Sequence, residues 1–127
     1  MILIVEPDAE LAGAMGELLV DDGFEVRIAD SLNYAVGWLP GKTVQGVVID
    51  VDGIPLYSDN TALEVMGEWF RHCDSPPLIV LSICVPSRSD GGLPPSSLSR
   101  ALWIEWVNKP FQNKAFLSLI RQTVRPN

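Results

Sequence analysis

The chain has 127 residues, of which 47% are hydrophobic and 20% charged, and its formal net charge is −7. That length and balance suit one folded domain spanning residues 1–127 with a sizeable core, and they exclude a chain too polar to collapse. The acidic surplus gives no electrostatic support for binding nucleic acid phosphates, so no direct nucleic acid contact is expected; the two cysteines, Cys73 and Cys84, lack zinc-site spacing and the density of a secreted disulfide scaffold.

Met1 leads directly into Ile2-Leu3-Ile4-Val5, a predicted strand ended by Glu6, with no basic leader and no apolar stretch long enough to span a bilayer. A cytoplasmic protein that does not engage membranes is the expectation. After Pro7-Asp8, the residues Leu11, Met15, Leu18 and Leu19 recur at helical spacing until Asp21-Asp22-Gly23 supplies a stop, which predicts an amphipathic first helix. Gly13 and Gly16 inside it read as close-packing positions. Phe24 to Ile28 alternates apolar and charged residues, the pattern of a half-exposed edge strand.

Asp30-Ser31 can cap a second helix carrying Tyr34, Ala35 and Trp38 and ended by Pro40-Gly41. Val47 to Ile49 is the third predicted strand, closed by Asp50. Asn60-Thr61 can cap a third helix with Leu63, Val65, Met66, Trp69 and Phe70 largely on its buried side; His72, the only histidine, follows it in a place that suits solvation or capping. Leu78 to Leu81 predicts a fourth strand, with Ser82 at its end. Pro86, Gly91, Gly92, Pro94 and Pro95 then break any helical pattern, so a long loop is expected over Val85 to Arg100, with at most a short helix near Ser97 to Leu102. Trp103 to Val107 predicts the fifth strand, and a last helix after Asn113 presents Phe116, Leu117, Ile120 and Val124. Trp38, Trp69 and Trp103 are expected in or near the core.

Short apolar runs alternating with helical patterns imply right-handed crossovers and a doubly wound parallel sheet covered on both faces. Such sheets bind ligands at the carboxyl ends of their strands. Here those ends would gather Asp50, Ser82 and Lys109 on one rim, and an acid, a hydroxyl and an ammonium together suit phosphoryl chemistry.

With the strands so placed, the chain resembles the response-regulator receiver domain over nearly its full length. The resemblance lies in Ile2-Leu3-Ile4-Val5-Glu6, Val47-Val48-Ile49-Asp50, Leu78-Ile79-Val80-Leu81-Ser82 and Val107-Asn108-Lys109-Pro110-Phe111. It implies a flavodoxin-like α/β fold, a five-stranded parallel sheet of order 2-1-3-4-5 with helices on both faces. It also implies a non-enzymatic signalling role in a two-component phosphorelay. Asp50 matches the aspartate that accepts a phosphoryl group from a sensor histidine kinase or phosphotransfer protein. Lys109 and Ser82 match the residues that contact the phosphoryl oxygens, Pro110 matches a proline preceded by a cis peptide bond, and Trp106 stands where an aromatic takes part in the switch. A downstream protein partner is implied, and a homodimer through a helix face is an arrangement the resemblance allows.

Each of these residues also has a plainer explanation. Asp50 can be an acidic strand end satisfied by loop amides, Lys109 a surface lysine before a turn, Ser82 a hydroxyl bonded to its own loop, and Trp106 an amphipathic edge-strand residue.

The sequence departs from the family at the metal site. Receivers usually place two acids after the first strand to hold Mg2+, whereas this chain has Glu6-Pro7 followed by Asp8. Pro7 has no carboxylate, so a weakened Mg2+ site is expected, held by Glu6 with Asp8 or Asp52 substituting for the lost acid. Glu6-Pro7-Asp8 is equally a helix start with proline and acid in its first turn. The loop Val51-Asp52-Gly53-Ile54-Pro55 is one residue longer than usual, and Leu102-Trp103 stands where Gly-Ala is common.

Two rivals stay open. One is a pseudo-receiver that keeps the fold and binds a partner without phosphate. The other is a phosphatase like the haloacid dehalogenases, for which Asp50-Val51-Asp52-Gly53, Ser82 and Lys109 supply a local match. Against the phosphatase, no acid occurs between Pro110 and Asn127, and a whole strand–helix–strand–helix unit precedes Asp50.

Overall fold

The computed structural model describes residues 1–31, 34–35, 44–50, 77–82 and 104–124. Within them the chain runs β1 (Ile2–Val5), α1 (Ala9–Asp21), β2 (Val26–Ala29), β3 (Gly46–Asp50), β4 (Leu78–Ser82), β5 (Ile104–Asn108) and α2 (Asn113–Thr123). All strand pairs are parallel, in the order β2-β1-β3-β4-β5. This is the predicted doubly wound sheet.

Burial explains the composition of the strands. β1 and β3 are central, and Ile2, Leu3, Ile4, Val5, Val47, Val48 and Ile49 are fully buried, which is why these runs are continuously apolar rather than alternating. One face of the sheet contributes Ile2, Ile4, Val48, Ile79 and Leu81 to a core completed by Met15 and Leu19 of α1 and by Phe116, Ile120 and Val124 at the far end of the chain. On the opposite face Leu3, Val5, Val47, Ile49 and Val80 are buried just as completely, so both faces are covered.

α1 is bounded by its own sequence. The Asp8 carboxylate accepts hydrogen bonds from the Glu10 and Leu11 amides at 3.0 and 3.2 Å, satisfying two donors of the first turn. At the other end the Gly23 amide donates to the Val20 carbonyl and the Phe24 amide to the Leu19 carbonyl, both at 3.0 Å. Gly23 has φ +96°, the left-handed conformation that this helix ending requires and that glycine adopts without strain. Arg121 of α2 donates two hydrogen bonds to the Asp22 carboxylate, tying the end of α1 to the last helix.

Three sequence expectations shift in detail. β2 begins at Val26 rather than Phe24, because the Phe24 amide is used by the turn that ends α1. α2 begins at Asn113 itself, with Gln112 in the cap position and no side-chain cap bond. Gly16 packs closely, since a Cβ there would lie 3.3 Å from Ile28 Cδ1, but Gly13 has nothing within 4 Å and is not a packing position. The start of the second predicted helix is visible in the Ser31 hydroxyl accepting from the Tyr34 amide at 3.2 Å. Its continuation, the third helix, the loop from Val85 to Arg100, His72, both cysteines and Trp38, Trp69 and Trp103 lie outside the described residues.

Candidate functional site

The strand order places the site. The chain leaves β1 for β2 on one side and then crosses to β3 on the other, so β1 and β3 flank the point where the winding reverses and where a crevice opens at their carboxyl ends. Val5 is in register with Ile49, which puts Glu6 level with Asp50. Asp50 is in register with Leu81 and Leu81 with Val107, so Lys109 stands two residues beyond the level of Asp50.

Asp50 is 3% exposed, and the Lys109 ammonium donates to its Oδ2 at 2.7 Å. The lysine reaches this position across the width of β4, from the turn that follows β5. That turn is anchored because Phe111 stacks on the buried ring of Phe116 in α2, with centroids 5.0 Å apart, and the Lys109–Pro110 peptide bond is cis.

Glu6 is 2% exposed. Its Oε1 accepts the Asp8 amide at 3.1 Å, and its buried Oε2 has no hydrogen-bond partner. Burial pushes the Glu6 carboxyl up to about 7, helped by the adjacent Asp50 carboxylate and opposed by the Asp8 amide and the Lys109 charge. Two buried acids and one ammonium therefore share the rim.

The remaining predicted site residues fall as follows. The Asp8 side chain is turned to the amides of α1. Ser82 ends β4 in register with Asn108, and Trp106, half-buried on the outer strand, is in register with Val80, so Ser82 and Trp106 lie in the same alternation row of neighbouring strands. Asp52 lies outside the described residues. Among the described residues no group of three His, Cys, Asp or Glu side chains is arranged to hold a metal. None of the helices among them is long and apolar enough to cross a membrane.

A cleft of about 440 Å³ adjoins the lysine, lined by Leu11, Lys109, Pro110, Phe111 and Asn113. Leu11 appears in the sequence only as part of a helical apolar stripe. The signal that sets it apart is its place three residues after the Asp8 cap, in the first turn of α1 and next to the carboxyl end of β1.

No protein-family model and no curated protein matches the chain. Solved structures do match. The chemotaxis response regulator CheY4 of Vibrio cholerae is 17% identical, with 97% of each chain covered and a TM-score of 0.74. The receiver domain of the hybrid histidine kinase CckA is 18% identical over 98% of each chain at a TM-score of 0.70. A CheY-like receiver domain from Methylobacillus flagellatus is 20% identical over 96% of each chain at 0.68. The chain thus has the flavodoxin-like fold of response-regulator receiver domains.

Proposed function

We propose that this chain is a response-regulator receiver domain that accepts a phosphoryl group on Asp50 and passes the signal on through protein contacts. The observation that carries the reading is the buried Asp50 carboxylate at the end of the third strand, held at 2.7 Å by the Lys109 ammonium on a receiver fold. A carboxylate oxygen of Asp50 attacks phosphorus in a phosphoramidate such as phosphohistidine. The new O–P bond forms as the P–N bond breaks, and the departing nitrogen keeps the electron pair and takes up a proton. Lys109 is a fixed cation beside the oxygens on which charge collects. The partner is then a histidine kinase or a phosphotransfer protein, and a downstream protein reads the change.

The residues present fit a divalent cation of the Mg2+ kind, which binds through one or two carboxylates and keeps waters. Glu6 and Asp50 would hold it, and the orphaned Glu6 Oε2 supports that fit. When bound, the ion supplies further positive charge for the phosphoryl oxygens. Ser82 and Trp106 are the switch pair in this reading, a hydroxyl drawn towards the new phosphoryl acceptor and a half-buried ring on the neighbouring strand.

The test is intact mass after incubation with a small phosphoramidate and Mg2+, with Asp50→Asn alongside. One phosphoryl adduct that vanishes in Asp50→Asn is the expected result, with Lys109→Ala retaining only part of the uptake. Uptake unchanged in Asp50→Asn overturns the acceptor assignment. No adduct in either protein favours the phosphate-independent interaction module, a reading supported by the loss of an acid at Pro7.

A further inference from the structure

We infer that the free edge of β2 is a self-association surface, on which a second copy of this chain adds its own β2 antiparallel about a two-fold axis at Val26. β2 is the outermost strand on its side of the sheet, paired only with β1. The Ile2 amide donates to the Glu25 carbonyl and the Glu6 amide to the Ala29 carbonyl, which fixes the direction of every backbone group along the strand. Glu25, Arg27 and Ala29 turn their backbone groups to β1, so those of Val26 and Ile28 point outward. Among the described residues no group bonds to these outward amides and carbonyls. An open row of this kind is a template for another strand unless something blunts it.

Charge selects the occupant and the register. Glu25 and Arg27 are exposed and share one face of the strand, two residues apart. A two-fold axis at Val26 lets the two copies of Val26 exchange both backbone hydrogen bonds and sets each Glu25 opposite an Arg27, twice, in the closer kind of cross-strand pair. Moving the axis to Arg27 sets arginine against arginine, and moving it to Glu25 sets acid against acid. An axis at Ile28 puts Val26 opposite the acid Asp30. Only the Val26 register is self-complementary, so a second copy fits where a uniformly charged edge would repel it. The other face of the strand is apolar. Val26 and Ile28 turn their side chains to α1 at Gly16, and Ile28 remains 42% exposed. Val20, 55% exposed, lies one turn further along that face of α1. In the Val26 register Ile28 of each copy stands opposite Phe24 of the other. This is a sheet-edge contact, distinct from one through a helix face. Because every strand of one copy is parallel, pairing two β2 strands antiparallel gives a ten-stranded sheet whose Asp50 rims lie at opposite ends, so the contact obstructs neither.

The test is sedimentation equilibrium of the unchanged chain, Glu25→Arg, Arg27→Glu and an equal mixture of the two variants, in about 0.15 M salt to screen long-range repulsion between acidic copies. A contact this short stands at the small end of specific interfaces, so dimer is expected at roughly 10–100 µM protein. Each variant alone opposes like charges and should associate at least tenfold more weakly. Their mixture restores both opposite pairs and should associate within about threefold of the unchanged chain. Amide exchange of the unchanged chain locates the contact without any substitution. The Val26 amide should slow at least threefold between dilute and concentrated protein, while those of Arg27 and Ala29, already bonded to β1, should not change. A chain that stays monomeric to about 1 mM overturns the inference. So does a dimer in which the Val26 amide is unaffected, or one that folded variants form as tightly alone as mixed.

Discussion

The Lys109 ammonium and the Asp50 carboxylate meet at 2.7 Å although β4 separates the strands that bring them. The pair is asymmetric: the carboxylate is almost wholly buried, and the lysine side chain keeps 17% of its surface in solvent. Removing one partner therefore has different consequences from removing the other. An ammonium near solvent can hydrate, but a carboxylate inside the rim cannot.

Lys109→Met should destabilise the fold by about 1–3 kcal/mol at pH 8, below the full cost of breaking a deeply buried pair because water reaches the lysine. Asp50→Asn should cost little, since it also ends the repulsion with Glu6. The double variant should be more stable than additivity predicts. Urea unfolding of the four proteins gives the coupling directly, and a coupling below about 0.5 kcal/mol would mean that the contact contributes nothing to the fold.

Glu6 predicts an inverted pH dependence. Its carboxyl stands at about 7 in the fold against 4.5 ordinarily, so between those values the folded chain binds more protons than the unfolded one. The Glu6 contribution to stability is then fully present below pH 4.5 and is lost as pH rises through 7. At about 1.4 kcal/mol per pH unit, tempered by water near the rim, the loss should be roughly 1–3 kcal/mol. Unfolding free energies in chelator at pH 4.5 and 8 should show that drop relative to Glu6→Gln, and parallel curves for the two proteins would refute it.

How much of this site is legible in the sequence follows from the kind of signal each residue leaves. Asp50 is legible because a charge ends an otherwise apolar run, and Lys109 because Lys-Pro-Phe closes another. The strand order follows from the alternation of short apolar runs with helical periods. The fate of Asp8 is not legible: an acid before a helix is both a plausible metal ligand and a plausible cap, and only the two amide bonds decide for the cap. The orphaned oxygen of Glu6 is invisible for the same reason, since it depends on which of two carboxylate oxygens the Asp8 amide takes. Gly13 and Gly16 look alike in sequence. They differ because a turn of α1 aims Gly16 at Ile28 and leaves Gly13 open.

That difference is measurable. Gly13→Ala should stabilise the chain by about 0.5–1 kcal/mol, because alanine lowers the backbone entropy lost on helix formation and its methyl meets nothing. Gly16→Ala should come out near neutral, since the same gain is offset by a Cβ 3.3 Å from Ile28 Cδ1. Ile28 is 42% exposed and its tip can give way, so a clash is not expected to dominate. Urea midpoints of the two variants should differ in this order, and the reverse order would place the tight contact at the wrong glycine.

Gly46 marks a closer approach. A Cβ there would lie 2.7 Å from Cγ2 of Val124, which caps the end of α2 and is fully buried. Val124 has one χ angle and sits among packed neighbours, so it cannot fold away as a flexible tip would. Gly46→Ala should therefore destabilise by about 1–3 kcal/mol through overpacking. Val124→Ala alone should destabilise too, by loss of buried methyl groups. In the double variant the new methyl occupies space the valine has left, so the two losses should not add, and unfolding should show the pair more stable than their sum by at least about 1 kcal/mol. Simple additivity would mean that β3 and α2 move apart to accept the alanine, and that the end of the last helix is not what fixes this side of the sheet.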